Sequence, residues 1–167
     1  MSQEGEQDLD CGLILKQVLL KIGGSGIDDE AGWANFRDPR VLDYLLKHGR
    51  EFPTQQMECL RQTPFPDWRK ELNPVQCHDN CVDLRCYAGS GRSEYRIVHG
   101  WALSANGIWY CHSWCIQRTG PENIIETTIP RIAYFGFVVP DDVDPRAILF
   151  VLSTLGDLLQ YRQNLAP

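Results

Sequence analysis

The chain has 167 residues, 43% of them apolar and 23% charged, with a formal net charge of −6. That length and mixture fit one globular domain and exclude collagen-like, rod-like and wholly disordered chains. The acidic balance, with 16 scattered lysines and arginines, leaves no cationic footprint for a nucleic acid.

The opening stretch Met1–Asp10 is polar and acidic, unlike the basic, apolar start of a signal peptide, and is expected to be a flexible tail before one domain at 11–167. Between Cys11 and Ile22 the residues Leu13, Ile14, Val18, Leu19 and Ile22 fall at helical spacing, and Gly23–Gly24 ends the helix. After a loop to Gly32, Asp38–Pro39 opens a helix carrying Val41, Leu42, Leu45 and Leu46 that stops at Gly49. Thr54–Arg61 reads as a weaker helix, and Pro64 and Pro66 mark a loop after it. Asn73–Pro74 is a helix start, an N-cap followed by proline in the first turn. That helix should run from about Val75 to Tyr87 and break at Ala88–Gly91. Glu94–Ser104 and Ile108–Arg118 are strand-like, joined by a turn with the Asn106–Gly107 hairpin signal. Asn123–Thr128 and Arg131–Val139 are two further strands, and Asp144–Pro145 starts a closing helix, Arg146 to about Arg162. The expected fold class is α+β: N-terminal helices and one further helix packed on a four-stranded antiparallel meander, with a closing helix.

No apolar run approaches the length of about 18 residues that a membrane helix needs, so a cytoplasmic protein is expected. Thiols stay reduced there. The seven cysteines, an odd number, then read as free thiols, metal ligands or a catalytic group rather than a disulfide framework.

Cys77 lies three residues after Pro74, in the first turn of its helix. Unpaired backbone N–H groups and the positive end of the helix dipole stabilise a thiolate there, the nucleophilic form of cysteine. A nucleophile needs a base. Strand alternation puts Tyr110, His112, Trp114 and Ile116 on one face, and Trp109, Cys111, Ser113 and Cys115 on the other. His112 is an imidazole fixed amid apolar neighbours that can face a helix packed on its side of the sheet. His99 on the preceding strand competes with it, whereas His78, adjacent to Cys77 on a helix, is expected to point elsewhere. Glu126, inside the next apolar strand, is placed to accept the other ring N–H of His112. Each of the three residues is also compatible with a purely structural place: a buried thiol, a core histidine, an edge charge.

The segments Gln76-Cys77-His78-Asp79-Asn80, Val98-His99-Gly100-Trp101-Ala102, His112-Ser113-Trp114, Ile125-Glu126-Thr127-Thr128 and Tyr134-Phe135-Gly136 occur in that order. This series resembles small papain-like proteins of bacteria and phages, with C-x-x-N, G-[YW]-A, H-[AS]-W, [IV]-[DE]-x-T and Y-[FY]-G motifs. They share the wider cysteine-peptidase, NlpC and transglutaminase-like arrangement. The resemblance spans Asn73 to Val139 and implies Cys77 as nucleophile, His112 as base and Glu126 as orienter. It departs from the pattern where Glu126 stands for the more usual Asp and where Cys81 follows the asparagine. Gln76, or the Cys77 backbone N–H, is a candidate oxyanion donor; Asn80, Trp114 and His99 complete the expected substrate-binding set.

A zinc site built from Cys77, Cys81, Cys111, His112 and Cys115 is the competing metal reading. It fails on geometry, since Cys111 and Cys115 on one strand stand about 13 Å apart. The reading adopted is a thiol enzyme without cofactor or metal, acting on a peptide or amide bond through an acyl-thioester. Its rival is a silent member of the fold that binds a partner protein through Phe52, Trp68 or the terminal helix. Trp33 and Trp68 are candidates to shape the entrance.

Overall fold

The computed structural model of the protein describes residues 4–28, 39–60, 76–87 and 94–144. Within them the order is α1 (Glu4–Ile22), β1 (Gly26–Ile27), α2 (Pro39–His48), β2 (Arg50–Phe52) and β3 (Met57–Cys59). Then come α3 (Cys77–Tyr87), β4 (Tyr95–Leu103), β5 (Ile108–Gln117), β6 (Ile124–Glu126) and β7 (Ala133–Val138). Helices and one mostly antiparallel sheet make the class α+β. Among the described residues no helix is long and apolar enough to cross a membrane.

The two longest strands form the expected hairpin, paired without a break from Tyr95↔Gln117 to Leu103↔Trp109. Its turn closes through Gly107 N–H donating to the Ser104 carbonyl at 2.9 Å, and Gly107 takes a positive φ of 80° that an L side chain rarely adopts. The expected meander is not formed. Strand β7 returns across the sheet to pair with β4, and the order is β2-β7-β4-β5-β6-β3, with β1 parallel to β5. Gly100 and Gly136 face each other in the β4–β7 ladder. A Cβ at Gly100 would stand 2.2 Å from the Phe135 carbonyl oxygen, so the close approach depends on glycine there. The far side of β6 is taken by β3, which pairs with it in parallel.

Three further expectations are corrected. The stretch expected as a tail is helical from Glu4 onward. Thr54–Arg61 is not a helix where it is described; Met57–Cys59 is the edge strand β3. The loop after Gly23 contains β1. The N-cap Asn73–Pro74, the Pro64–Pro66 loop, the break at Ala88–Gly91, Trp33, Trp68 and the closing helix at Arg146–Arg162 lie outside the described residues.

The sheet buries both faces. Leu15 and Leu19 of α1, Leu45 of α2 and Leu84 of α3 pack with Trp101, Trp109 and Phe137 on one side. Each buried leucine contributes about 1.5–3 kcal/mol by leaving water. On the other side Phe52, Val98, Trp114, Ile116 and Tyr134 form a second apolar layer. Phe52 is 3% exposed and meets Trp114 edge-on, so it is part of the core rather than a surface for a partner.

Candidate active site

The site forms at an interruption of the sheet. On the β5 side away from β4, β1 pairs only with Ile108 and Trp109, and β6 only with Cys115 and Ile116. Among the described residues no strand lies beside 110–114 there, and Cys77 and His78 at the start of α3 make their polar contacts with this stretch. Its apolar residues Cys81, Val82 and Leu84 join the helix-side core, and the Cys115 thiol donates to the Cys81 carbonyl at 3.9 Å. The helix therefore packs on the Trp109–Cys115 face, opposite to the His112 face the sequence suggested. Contact with His112 is made across the open edge instead.

Helix α3 begins at Cys77, and its first internal bond runs from the Asn80 N–H to the Gln76 carbonyl at 3.0 Å. Cys77 is thus at the first helical position, where the backbone N–H groups have no helical acceptor. Burial works to raise its pKa, but hydrogen bonds and charge from His112 and His78 overcome this and lower it to about 5. The thiol remains partly exposed, as a nucleophile must.

His112 is buried, and its Nε2 lies 2.9 Å from Glu126 Oε2. That leaves Nδ1 for the Cys77 contact. Burial disfavours the imidazolium, yet the Glu126 carboxylate and the Cys77 thiolate raise His112 to about 9. Glu126 is fully buried and accepts from four donors. Thr128 gives its backbone N–H and its hydroxyl to Oε1, both at 2.8 Å. The Tyr134 hydroxyl gives to Oε2 at 2.8 Å, beside His112. Burial alone would raise the carboxyl pKa; His112 and these donors lower it. Burial and the neighbouring carboxylate also raise the Tyr134 phenol, so it stays a donor. The longer arm of Glu126 thus reaches the histidine.

The other expected site residues separate by position. Gln76 is exposed immediately before the nucleophile. Asn80 is 3% exposed and its amide donates to the Thr127 carbonyl at 3.3 Å. It ties α3 to the segment after β6 rather than facing a substrate. Trp114 is fully buried beneath the site, its ring nearly parallel to His112 with centroids 6.2 Å apart. It supports the imidazole and does not line a cleft. His99 is 1% exposed, with Nδ1 2.9 Å from Ser113 Oγ.

Three participants were missed in the sequence. His78 does reach the nucleophile, hydrogen-bonded to both Cys77 and Cys111. Tyr134 and Thr128 are visible in the sequence only as parts of the Y-F-G and E-x-T motifs; their role as donors to Glu126 is set by the β7–β4 crossover and the turn after β6.

Among the described residues no group of three or more His, Cys, Asp or Glu side chains is arranged to hold a metal ion. Cys81 and Cys115 face the core, and burial raises the Cys81 thiol, leaving it protonated. Comparisons with protein-family models, with curated proteins and with solved structures found no match to this chain.

Proposed function

We propose that the protein is a thiol-dependent hydrolase or acyltransferase of papain-like architecture that acts on a peptide or amide bond. The observation that carries this reading is the His112–Glu126 bond of 2.9 Å, buried beside a thiol at the start of a helix. An oriented imidazole, a charged orienter and a depressed thiol are the parts that nucleophilic acyl transfer requires. Seven free cysteines suit a reducing, cytoplasmic setting for such chemistry.

In the reaction the Cys77 thiolate attacks the substrate carbonyl, and the carbonyl π pair moves onto oxygen. The oxyanion meets the Cys77 backbone N–H and the exposed Gln76 amide. As the C–N bond breaks, the His112 imidazolium gives its proton to the leaving amine, and the acyl group remains on sulfur as a thioester. Water, or an incoming amine, loses a proton to the now neutral His112 and attacks the thioester. The C–S bond breaks and its electron pair returns to Cys77 as thiolate beside imidazolium. Glu126 holds the ring in one tautomer throughout and stabilises its charge.

The test uses p-nitrophenyl esters of short acyl groups with intact-protein and peptide mass spectrometry. The expected result is a burst of nitrophenolate and one acyl group on Cys77. None should appear in Cys77→Ala, and acylation by the matching p-nitroanilides, whose amine must be protonated as it leaves, should slow about 100-fold or more in His112→Ala. Acylation of Cys77 no faster than that of Cys59 would sink the proposal.

A further inference from the structure

Behind Cys77 stands a second polar cluster that the Cys77–His112–Glu126 chemistry does not use. His78 Nδ1 is 2.7 Å from Ser113 Oγ, and the same hydroxyl is 2.9 Å from His99 Nδ1. The two rings lie 5.2 Å apart, tilted by 55°. One hydroxyl has a single proton, so it can donate to only one of the two imidazoles and must accept from the other. The groups facing His78 decide which. From its own helix comes Cys77, from β5 come Cys111 and Ser113, and from β4 comes His99, with His112 on the far side of the thiolate. Two thiols beside His78 favour its charged form, whereas His99 is buried, with two neighbouring imidazoles opposing a charge on it. His78 therefore donates Nδ1–H to Ser113, and Ser113 donates onward to His99. This leaves the second N–H of His78 for the sulfur side.

We infer that His78 is a further catalytic residue: an imidazolium, oriented by Ser113 and His99, that shares the Cys77 thiolate with His112. The inference rests on the thiol-enzyme reading above and deepens it. Its mechanistic consequence is a division of labour. His112 must shed its proton to the leaving amine and recover one from water. His78 moves no proton, so a positive charge stays beside the sulfur while His112 is neutral, and it receives the thiolate when the C–S bond breaks.

The experiment is iodoacetamide alkylation of Cys77 against pH, read by peptide mass spectrometry, for wild type, His78→Gln, Ser113→Ala, His112→Ala and the His78→Gln/His112→Ala pair. Alkylation needs the thiolate and no proton transfer, so it reads the cations alone. Wild type should titrate at about 5. Glutamine keeps a hydrogen-bonding group at 78 but carries no charge, and the midpoint should rise by about one pH unit or more. Ser113→Ala should move it in the same direction by less, and decides the matter if His78→Gln does not fold. His112→Ala should keep a depressed midpoint, and only the pair should reach the ordinary thiol value of about 8.5. If His78→Gln and Ser113→Ala overlay a depressed wild-type curve, His78 has no such role and the Cys77–His112 reading stands. A His112→Ala midpoint already at about 8.5 overturns the sharing as well. A wild-type midpoint near about 8.5 sinks both readings together.

Discussion

Glu126 has two oxygens and four donors aimed at them, two to each. A carboxylate satisfies all four; an amide of the same shape cannot, because its NH2 must face donors. Glu126→Gln should therefore cost about 1–3 kcal/mol of stability, from a buried polar clash rather than a lost volume. Its effect on chemistry has a definite sign. The carboxylate helps hold His112 at about 9, so the variant should lose the imidazolium at lower pH. The alkaline limb of acylation by a p-nitroanilide should then shift downward, and an unmoved limb would show that Glu126 does not charge the histidine. At this scale the sequence is informative in part: helix start and strand order point to Cys77, His112 and Glu126, whereas alternation puts the helix on the wrong face of the sheet. His78 was not legible, because which way a first-turn side chain leans is decided by Ser113, 35 residues away.

The elements that carry the site were legible where their pattern is long. Nine-residue β4 and ten-residue β5 are long strand-like runs on either side of an Asn-Gly turn, and a proline opens α2. Strands β1 and β3, of two and three residues, are too short to show a period and exist only because β5 and β6 offer edges to them. The return of β7 to β4 was hidden for another reason: it depends on two glycines meeting across a ladder. At Gly136 an added Cβ would come within 2.7 Å of both the His99 carbonyl and the Trp114 ring. At Gly100 its nearest neighbours, Phe135 O and Gly136 Cα, are all backbone and have no rotamer to change. Gly100→Ala should accordingly destabilise by about 3 kcal/mol or more, in the overpacking and strained range, and Gly136→Ala by less. Urea melts decide this; a Gly100→Ala loss under about 0.5 kcal/mol would mean that the β4–β7 approach is looser than the structure has it.

Over the whole molecule, three distant parts of the chain each deliver one participant to the gap in the β5 edge: the start of α3, the middle of β5 and the end of β6. The α3 helix is fixed at both ends. Asn80 binds the Thr127 carbonyl, and Arg85 donates to the Asp141 carbonyl at 3.1 Å, while the Asp141 side chain takes a two-point bond from Arg118. Such an assembly makes the thiolate and the imidazolium coexist over a wide range, which a free cysteine and histidine do not. As pH rises the thiolate appears at about 5, and the imidazolium is lost at about 9. Two substrates with one acyl group separate these events. A p-nitrophenyl ester expels a stable anion and needs only the thiolate, so its acylation rate should rise through about 5 and hold above about 9. The matching p-nitroanilide must be protonated as it leaves, so its rate should rise at the same lower pH and fall as the imidazolium is lost. Single-turnover acylation followed across both limbs makes the comparison. Curves that coincide throughout would mean His112 only orients charge and donates no proton; a lower limb near about 8.5 for both would mean that the helix start and the histidines never meet the thiol as a unit.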